Sequence, residues 1–222
     1  EFPVLESARK KGEFEKDTKR WVIFPRTSFF NHQRIFERNE KILPIEFSEP
    51  QFKYNYIEET EKKNSKNISE YAELKKGRLS FASGGISYSY LKEALSILKE
   101  ENPQNDLIQN AVILKIGTPY PFPEPLAMQL LTQCLNDNSD ITVFEELDPV
   151  IEENLIFLCG KNKTACTVHG KLDGIVPCAG ELSVEIIKNI IQKLAGSQQE
   201  TALKDNSDSA PELPVRPPVL CA

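Results

Sequence analysis

The feature that most constrains the fold is a regular alternation between short apolar runs and longer amphipathic stretches over residues 78–195. The runs at 79–82, 111–116, 141–144 and 165–168 have the length and composition of buried β-strands. The stretches that follow them carry apolar residues at three- and four-residue spacing, which is typical of helices. This order is typical of a parallel sheet covered on both faces. We therefore expect an α/β fold of three layers with a mainly parallel sheet of four or five strands.

Prolines and acidic residues predict how these elements are joined. Prolines alternate with other residues from Pro119 to Pro125, and their fixed φ and missing amide proton require an extended loop over 118–125. Asp148, followed by Pro149, is the residue expected to cap the helix after the third run.

The two ends of the chain differ from this central region. Residues 1–63 predict a helical or irregular arm, with Phe29, Phe30 and Phe36 at helical spacing and Pro44 as the end of that helix. Residues 41–58 are a candidate source of a fifth strand. Residues 64–195 form the predicted α/β domain, and residues 196–222 predict an extended linker. Because the chain begins at Glu1 rather than Met and stops at Ala222, we expect it to be a piece of a longer polypeptide, with further domains before and after it.

Charge and composition exclude several classes of function. With 27 Lys and Arg against 33 Asp and Glu, the formal net charge is −6, and no basic cluster is present. Nucleic acids and anionic membranes both require clustered cations, so neither is an expected partner. The sequence contains neither an apolar stretch of about 18 residues nor a secretory signal, which favours a cytoplasmic protein.

The five cysteines are odd in number, and no two of them have the two-residue gap typical of zinc or iron–sulfur ligands. Reduced thiols are therefore expected. A metal site built from Cys159, Cys166 and His169 remains open but lacks a regular ligand spacing.

Two loops that follow predicted strands are the candidate binding or interface loops. Gly84 and Gly85 lie between a strand and a helix, where backbone amides could hold a phosphate. The glycine spacing of a dinucleotide or nucleotide phosphate loop is missing, so a tight strand-to-helix turn is the favoured interpretation. Glu145, Glu146 and Asp148 follow the third strand, and the adjacent Glu145 and Glu146 could act as general acid and base or accept a partner's cation. Because neighbouring residues of a strand point to opposite faces, Glu145 and Glu146 are not expected to form one dyad.

No arrangement of residues typical of catalysis is evident. His169 follows the fourth strand with no nucleophile or carboxylate partner identifiable beside it, and the common hydrolase, metalloprotease and calcium-loop motifs are absent from the sequence. The residues themselves indicate a non-catalytic α/β module, with no catalytic, cofactor-binding or metal-binding residue assigned.

Four segments carry a resemblance to a known family. They are residues 79–88 (LSFASGGISY), 112–124 (VILKIGTPYPFPE), 143–153 (VFEELDPVIEE) and 213–222 (LPVRPPVLCA). In this order and spacing they resemble the central transketolase C-terminal-like domain of the α subunits of indolepyruvate:ferredoxin oxidoreductases. The resemblance is good over residues 78–222 and loose over residues 20–60.

The resemblance implies a parent enzyme that oxidatively decarboxylates indolepyruvate and other aryl 2-oxoacids to aryl-acetyl-CoA and reduces ferredoxin. It implies thiamine diphosphate, Mg²⁺, iron–sulfur clusters of the 4Fe–4S type and coenzyme A as a co-substrate in the parent. It also implies contacts with the other domains of the same subunit, with a β subunit and with ferredoxin. None of the cofactor-binding parts of the family lies in these residues, and Cys221 matches no cluster ligand.

Two functions are therefore expected of a chain like this one. The first is an architectural domain, inactive alone, that holds the thiamine-binding domains of the parent in place. The alternative is a regulatory module that binds a small molecule between the Gly84–Gly85 and Glu145–Glu146 loops.

Overall fold

A computed structural model describes residue 12 and residues 16–59 and 78–196. Contacts within the chain divide it into two units, Glu1–Ile42 and Leu43–Ala222, and each is described here by itself. The predicted boundaries at residues 63 and 195 remain predictions, because residues 60–77 and 197–222 lie outside the described range. Nearly all of the predicted linker falls in that second segment.

The first unit is helical where it is described. Helix α1 (Thr18–Trp21) begins at Asp17, whose carboxylate accepts the amides of Lys19 and Arg20 at 3.0 and 3.1 Å. Helix α2 (Pro25–Glu37) follows and is succeeded by a π-helical turn at Arg38–Ile42. Asn31 of α2 donates its side-chain amide to the carbonyl of Arg20 at 3.0 Å, which links the two helices.

The second unit opens with a short helix, α3 (Leu43–Glu46). The prediction that Pro44 ends the preceding helix is wrong, because Pro44 lies inside α3. It occupies the second position of that segment, where a backbone amide is not needed for an intrahelical hydrogen bond.

The sheet has five strands in the order β1-β3-β2-β4-β5. Strands β2, β3, β4 and β5 run parallel to one another, and β1 pairs antiparallel with β3. This confirms the predicted α/β class and the mainly parallel sheet, and it shows that the fifth strand comes from the end of the 41–58 segment. The fourth predicted strand is shorter than expected and is shifted toward His169. The strands are β1 (Tyr56–Glu59), β2 (Ser80–Gly84), β3 (Val112–Ile116), β4 (Ile141–Phe144) and β5 (Val168–His169).

Helices cover the sheet on both faces. Phe81, Ile113 and Phe144 point to one face, where they form a core with α4 and α8. Ala82 and Leu114, their neighbours in sequence, point to the other face and pack with α6 and α7. Alternate strand residues thus supply two cores, and the three-layer prediction is confirmed. The helices of this unit after α3 are α4 (Gly85–Glu101), α5 (Asp106–Gln109), α6 (Glu124–Asp137), α7 (Val150–Asn162) and α8 (Val184–Leu194).

A buried asparagine, Asn55, fixes the start of the proline loop. Its side-chain oxygen accepts the amides of Gly117 and Thr118 at 2.7 and 3.1 Å, and its side-chain nitrogen donates to the carbonyl of Phe47 at 3.0 Å. The loop that follows contains no helix up to Pro123, and its Tyr120–Pro121 peptide bond is cis. The predicted loop over 118–125 is two residues too long, because α6 begins at Glu124 and tolerates Pro125 in its first turn, where a backbone amide is not needed. Asn55 therefore connects the segment before β1 with the carboxyl end of β3.

Helix α6 offers a matched test of the core on the sheet. Leu131 is completely buried, whereas Leu135, one turn later, is 47% exposed. We expect Leu131→Ala to lower the free energy of unfolding by about 2–5 kcal/mol through lost burial and a cavity. Leu135→Ala should change it by no more than about 1 kcal/mol. Urea unfolding followed by circular dichroism measures both, and equal losses would contradict the packing described.

Candidate functional site

The two predicted loops meet where β2 and β4 lie side by side. Ser83 of β2 is opposite Phe144 of β4, and the Ser83 hydroxyl donates to the Phe144 carbonyl at 2.7 Å. Gly84 and Glu145 follow directly at the carboxyl ends of these strands. After β2 the chain forms β3 on one side of β2, and it then crosses to form β4 on the other side of β2. The carboxyl ends of β2 and β4 are therefore the topological switch point of the sheet. Ligands of open α/β sheets bind at such points.

Gly84 and Gly85 each have a conformational reason to be glycine. A Cβ atom on Gly84 would lie 2.6 Å from the carbonyl oxygen of Ile116, because β2 and β3 approach closely there. Gly85 has a φ of +57°, in the left-handed region that favours glycine. Helix α4 begins at this turn without a side-chain cap. The turn therefore explains both residues, and the uncapped helix end is the feature that fits the alternative of a bound small anion.

Glu145 caps α7, and the prediction that Asp148 does so is wrong. Glu145 is only 6% exposed, and its carboxylate accepts the amides of Ile151 and Glu152 at 2.8 and 3.0 Å. Asp148 is exposed and makes no cap, and α7 begins after Pro149. The carboxylate of Glu145 reaches the helix because β4 ends beside it and Leu147, with a φ of +58°, turns the backbone between them. Burial raises the pKa of Glu145, and the two amides offset this only in part.

Glu146 serves a different segment from Glu145. Its carboxylate accepts the amide of Leu182 at 3.0 Å, just before α8. The two neighbouring glutamates thus hold two different parts of the chain, and their separate partners agree with the expectation that they do not act as one dyad.

Glu152 is a buried carboxylate whose role the sequence did not reveal. It is 1% exposed and accepts the amide of Lys171 at 2.8 Å and that of Leu172 at 3.2 Å. A Cβ atom on Gly170 would lie 2.5 Å from this carboxylate, so only glycine leaves room for it. In the sequence, Gly170 and Lys171 after β5 are the residues that could have indicated this contact with Glu152. Nothing in the neighbouring sequence, however, connects them to α7.

His169 has carboxylate partners, contrary to the expectation from sequence. Its Nδ1 lies 2.6 Å from Asp173 Oδ2, and its Nε2 lies 3.5 Å from Asp140 Oδ2. Asp173 also accepts the amides of Gly170 and Ile175, both at 3.1 Å, so the pair closes the turn after β5. Partial burial alone would lower the pKa of His169, but the hydrogen bonds to Asp173 and Asp140 raise it overall. The same hydrogen bond lowers the pKa of Asp173 against its own partial burial.

The carboxylates at this edge are thus engaged by the protein's own backbone. The amino end of a helix of this length would attract an external anion, but the amides of α7 already bind Glu145. Within the described part of the chain, no group of three His, Cys, Asp or Glu side chains could hold a metal ion. Among the described residues, each helix is too short or too polar to span a lipid bilayer.

Comparison with known proteins finds similarity to one part of a longer subunit. It is 31% identical over 211 residues to indolepyruvate oxidoreductase subunit IorA of Methanothermobacter marburgensis, covering 95% of this chain and 29% of that subunit. It is 28% identical over 222 residues to the subunit of the same name in Pyrococcus horikoshii, covering 98% of this chain and 30% of that subunit. The resemblance to these α subunits is confirmed.

The chain spans less than a third of the length of the IorA subunits it matches. The matched stretch extends well beyond the sheet, since it covers nearly every residue of the chain. No protein-family model and no solved structure matches.

Glu152 and its neighbour Glu153 test whether the buried carboxylates hold the site together. We expect Glu152→Ala to lower the free energy of unfolding by about 2–4 kcal/mol, because the buried amide of Lys171 and the partly buried amide of Leu172 lose their acceptor. Glu153 is exposed on the same helical turn, and Glu153→Ala should change stability by about 0.5 kcal/mol or less. Urea denaturation of both variants measures the difference, and similar small losses would rule out the role given to Glu152.

The His169–Asp173 pair predicts a pH-dependent contribution to stability. Because the folded-state pKa of His169 is raised above the unfolded value of about 6.5, its stabilisation is full below that pH and is lost as the pH rises through the raised pKa. The lowered pKa of Asp173 sets the acid limit, since stabilisation is lost as the pH falls toward that value.

We expect the stability difference between wild type and His169→Asn to be below about 1 kcal/mol near pH 6 and to vanish near pH 9. Asp173→Asn should lose the same pH-dependent part and, in addition, a constant part, because the Asp173 carboxylate also accepts the amides of Gly170 and Ile175. Adding His169→Asn to it should remove no further pH-dependent stability. A difference that stays constant with pH would contradict the interaction.

Proposed function

We propose that this chain is a non-catalytic architectural domain within the α subunit of an indolepyruvate:ferredoxin oxidoreductase. The observation that carries the proposal is the match to IorA subunits over 95–98% of the chain but only 29–30% of the subunit. A segment that accounts for less than a third of a large subunit, and uses its own switch-point carboxylates internally, is suited to positioning other domains.

The proposed parent enzyme converts an aryl 2-oxoacid and coenzyme A to an aryl-acetyl-CoA and carbon dioxide, and passes electrons to ferredoxin. Thiamine diphosphate with Mg²⁺ would stabilise the carbanion left by decarboxylation, and iron–sulfur clusters would carry the electrons. By this proposal the residues that bind those groups lie in other domains. The described carboxylates fit that division, since Glu145, Glu146 and Glu152 each accept backbone amides.

The edge of the sheet where the strands' carboxyl ends lie supplies a surface for such packing. Large apolar side chains that are 42–72% exposed follow or flank the strand ends there. We name this set the apolar edge. Exposed apolar side chains beside carboxylates that already accept backbone amides favour contact with protein rather than with a polar ligand. The apolar edge consists of Tyr54, Ile86, Tyr120, Leu147, Val150 and Leu172.

Accurate packing has a direct consequence for a thiamine enzyme. Thiamine diphosphate would be held between two domains of the parent, and an error near 1 Å in their placement can cost about a hundredfold in rate. A rigid sheet between such domains would therefore affect the rate without touching the substrate. The proposed partners are the other domains of the subunit and a β subunit, with ferredoxin as the acceptor of the parent in the cytoplasm.

Aspartate substitutions on the apolar edge test the proposal in the complete subunit assembled with its partner. We expect Ile86→Asp and Leu147→Asp to lower indolepyruvate-dependent ferredoxin reduction at least about tenfold, because a charge cannot be buried at the contact without a partner. Leu135→Asp, on an exposed site of α6 away from this edge, is the control and should retain near-normal activity. Full activity in both edge variants would contradict the packing role.

The isolated chain provides the second arm of the test. We expect it to show no 2-oxoacid-dependent ferredoxin reduction and no saturable binding of thiamine diphosphate by calorimetry. Thermal shifts with nucleotides or coenzyme A would instead support the regulatory alternative at the uncapped α4 end, since a ligand at about 100 times its dissociation constant adds about 2.7 kcal/mol.

A further inference from the structure

The described helices of the first unit have no core of their own. No side chain of α1, α2 or the π-helical turn that follows is buried. Large apolar side chains are exposed instead, and they include Trp21 at 51% and Ile35 at 49%. Because exposed apolar surface of this kind is typical of an interface, we expect another surface to cover these helices.

One side of these helices combines basic and apolar side chains. Arg20 and Trp21 of α1 line a groove together with Arg34 and Ile35 of α2 and Arg38 of the π-helical turn. We name these five residues the basic face. All three arginines are exposed. Since they come from different segments, no basic run marks this face in the sequence.

Contacts between the two helices hold the basic face in shape. The Asn31 side-chain amide donates to the Arg20 carbonyl at 3.0 Å, and the Arg20 guanidinium lies 4.6 Å from the centroid of the Trp21 ring. In the part of the chain that the structure describes, no carboxylate forms an ion pair with Arg20, Arg34 or Arg38. These guanidinium groups can therefore bind carboxylates of a partner.

The charges of the basic face repel one another. Arg34 and Arg38 are four residues apart and so lie next to each other on the helix surface, where like charges are destabilising. The groove on the other side of α2 differs, because Glu37 and Lys41 bring opposite charges to it. The basic face thus carries uncompensated positive charge, which an acidic partner would neutralise.

The two units of the chain carry net charges of opposite sign. With ten Lys and Arg against seven Asp and Glu, the first unit has a formal net charge of +3. The second unit, with 17 against 26, has a formal net charge of −9. An extended anionic surface such as a membrane or a nucleic acid would repel most of the chain. A local acidic surface on a protein meets only the basic face, so protein is the favoured partner.

The comparison with IorA indicates where such a surface lies. The match to the Pyrococcus horikoshii subunit covers 98% of this chain, so it includes the described helices of the first unit. It covers only 30% of that subunit. More than two-thirds of a subunit of this kind therefore lies outside the matched stretch.

We propose that the basic face docks on an acidic surface of the same α subunit, in the part of the subunit that lies outside this chain. Arg34 and Arg38 pair with carboxylates there, and Trp21 and Ile35 pack on apolar side chains between them. Arginine and tryptophan are enriched at the centres of protein interfaces for these reasons. The inference rests on the proposed place of the chain in an α subunit, but it concerns other residues than the apolar edge.

A carbodiimide, which joins an amine to a carboxylate in direct contact, tests the docking in the complete α subunit assembled with its partner. Arg34→Lys and Arg38→Lys keep the charge and supply the amine. We expect mass spectrometry to find crosslinks from residue 34 or 38 to Asp or Glu outside residues 1–222. Arg26→Lys is the control, because Arg26 is exposed on the same helix but lines neither groove. It should form such crosslinks at least about tenfold less.

The other occupants of the basic face give different results. Crosslinks to residues 43–222, or crosslinks between isotopically labelled and unlabelled subunits, would overturn the proposal in favour of this chain itself or a second copy. Co-sedimentation with phosphatidylserine vesicles that Arg34→Glu abolishes would overturn it in favour of a membrane. Crosslinking does not depend on activity, so this test can fail while substitutions on the apolar edge still lower ferredoxin reduction.

Charge reversal provides a second measurement. In the assembled subunit, we expect the double variant Arg34→Glu/Arg38→Glu to speed chymotrypsin cleavage after Phe29 or Phe30 at least about fivefold, because the docked helix is released. Arg26→Glu should leave the rate unchanged. In the isolated chain, wild type and double variant should be cleaved at equal rates, since the partner surface is missing. Equal rates in the assembled subunit as well would contradict the docking.

Discussion

The carboxyl edge of the sheet depends on carboxylates that are buried and fully engaged by backbone amides. Glu145 binds the first turn of α7, and Glu152 of that same turn binds the backbone after β5. A buried charge without such partners would be strongly destabilising, so each carboxylate requires its segment to stay in place. Glu145 thus connects the end of β4 to α7, and Glu152 connects α7 to the turn after β5. Glu146 adds a hydrogen bond from the end of β4 to Leu182, just before α8. The chain's own carboxylates and amides thus hold the ends of these strands together.

Sequence reasoning succeeded where the signal is local. An apolar run such as 111–116 predicts a buried strand, and the alternating prolines after it predict an extended loop, because both depend on neighbouring residues alone. It failed where a long-range contact decides the outcome. Asp148 has the usual position of a cap, yet Glu145 takes that role because the end of β4 brings its carboxylate to α7. The predicted loops were identified correctly as neighbours of strand ends, but Glu152 and the partners of His169 required the tertiary structure.

The same interactions bear on function. A switch point is a good binding site when its polar groups are free to meet a ligand. Here the amino end of α7 already has an anion, and the turn at Gly84 is shaped by the approach of Ile116. What remains exposed around the strand ends is mainly apolar, and apolar surface gains free energy when another protein surface covers it. The chemistry of this edge therefore agrees with the comparison, in which the chain corresponds to one part of a much longer oxidoreductase subunit.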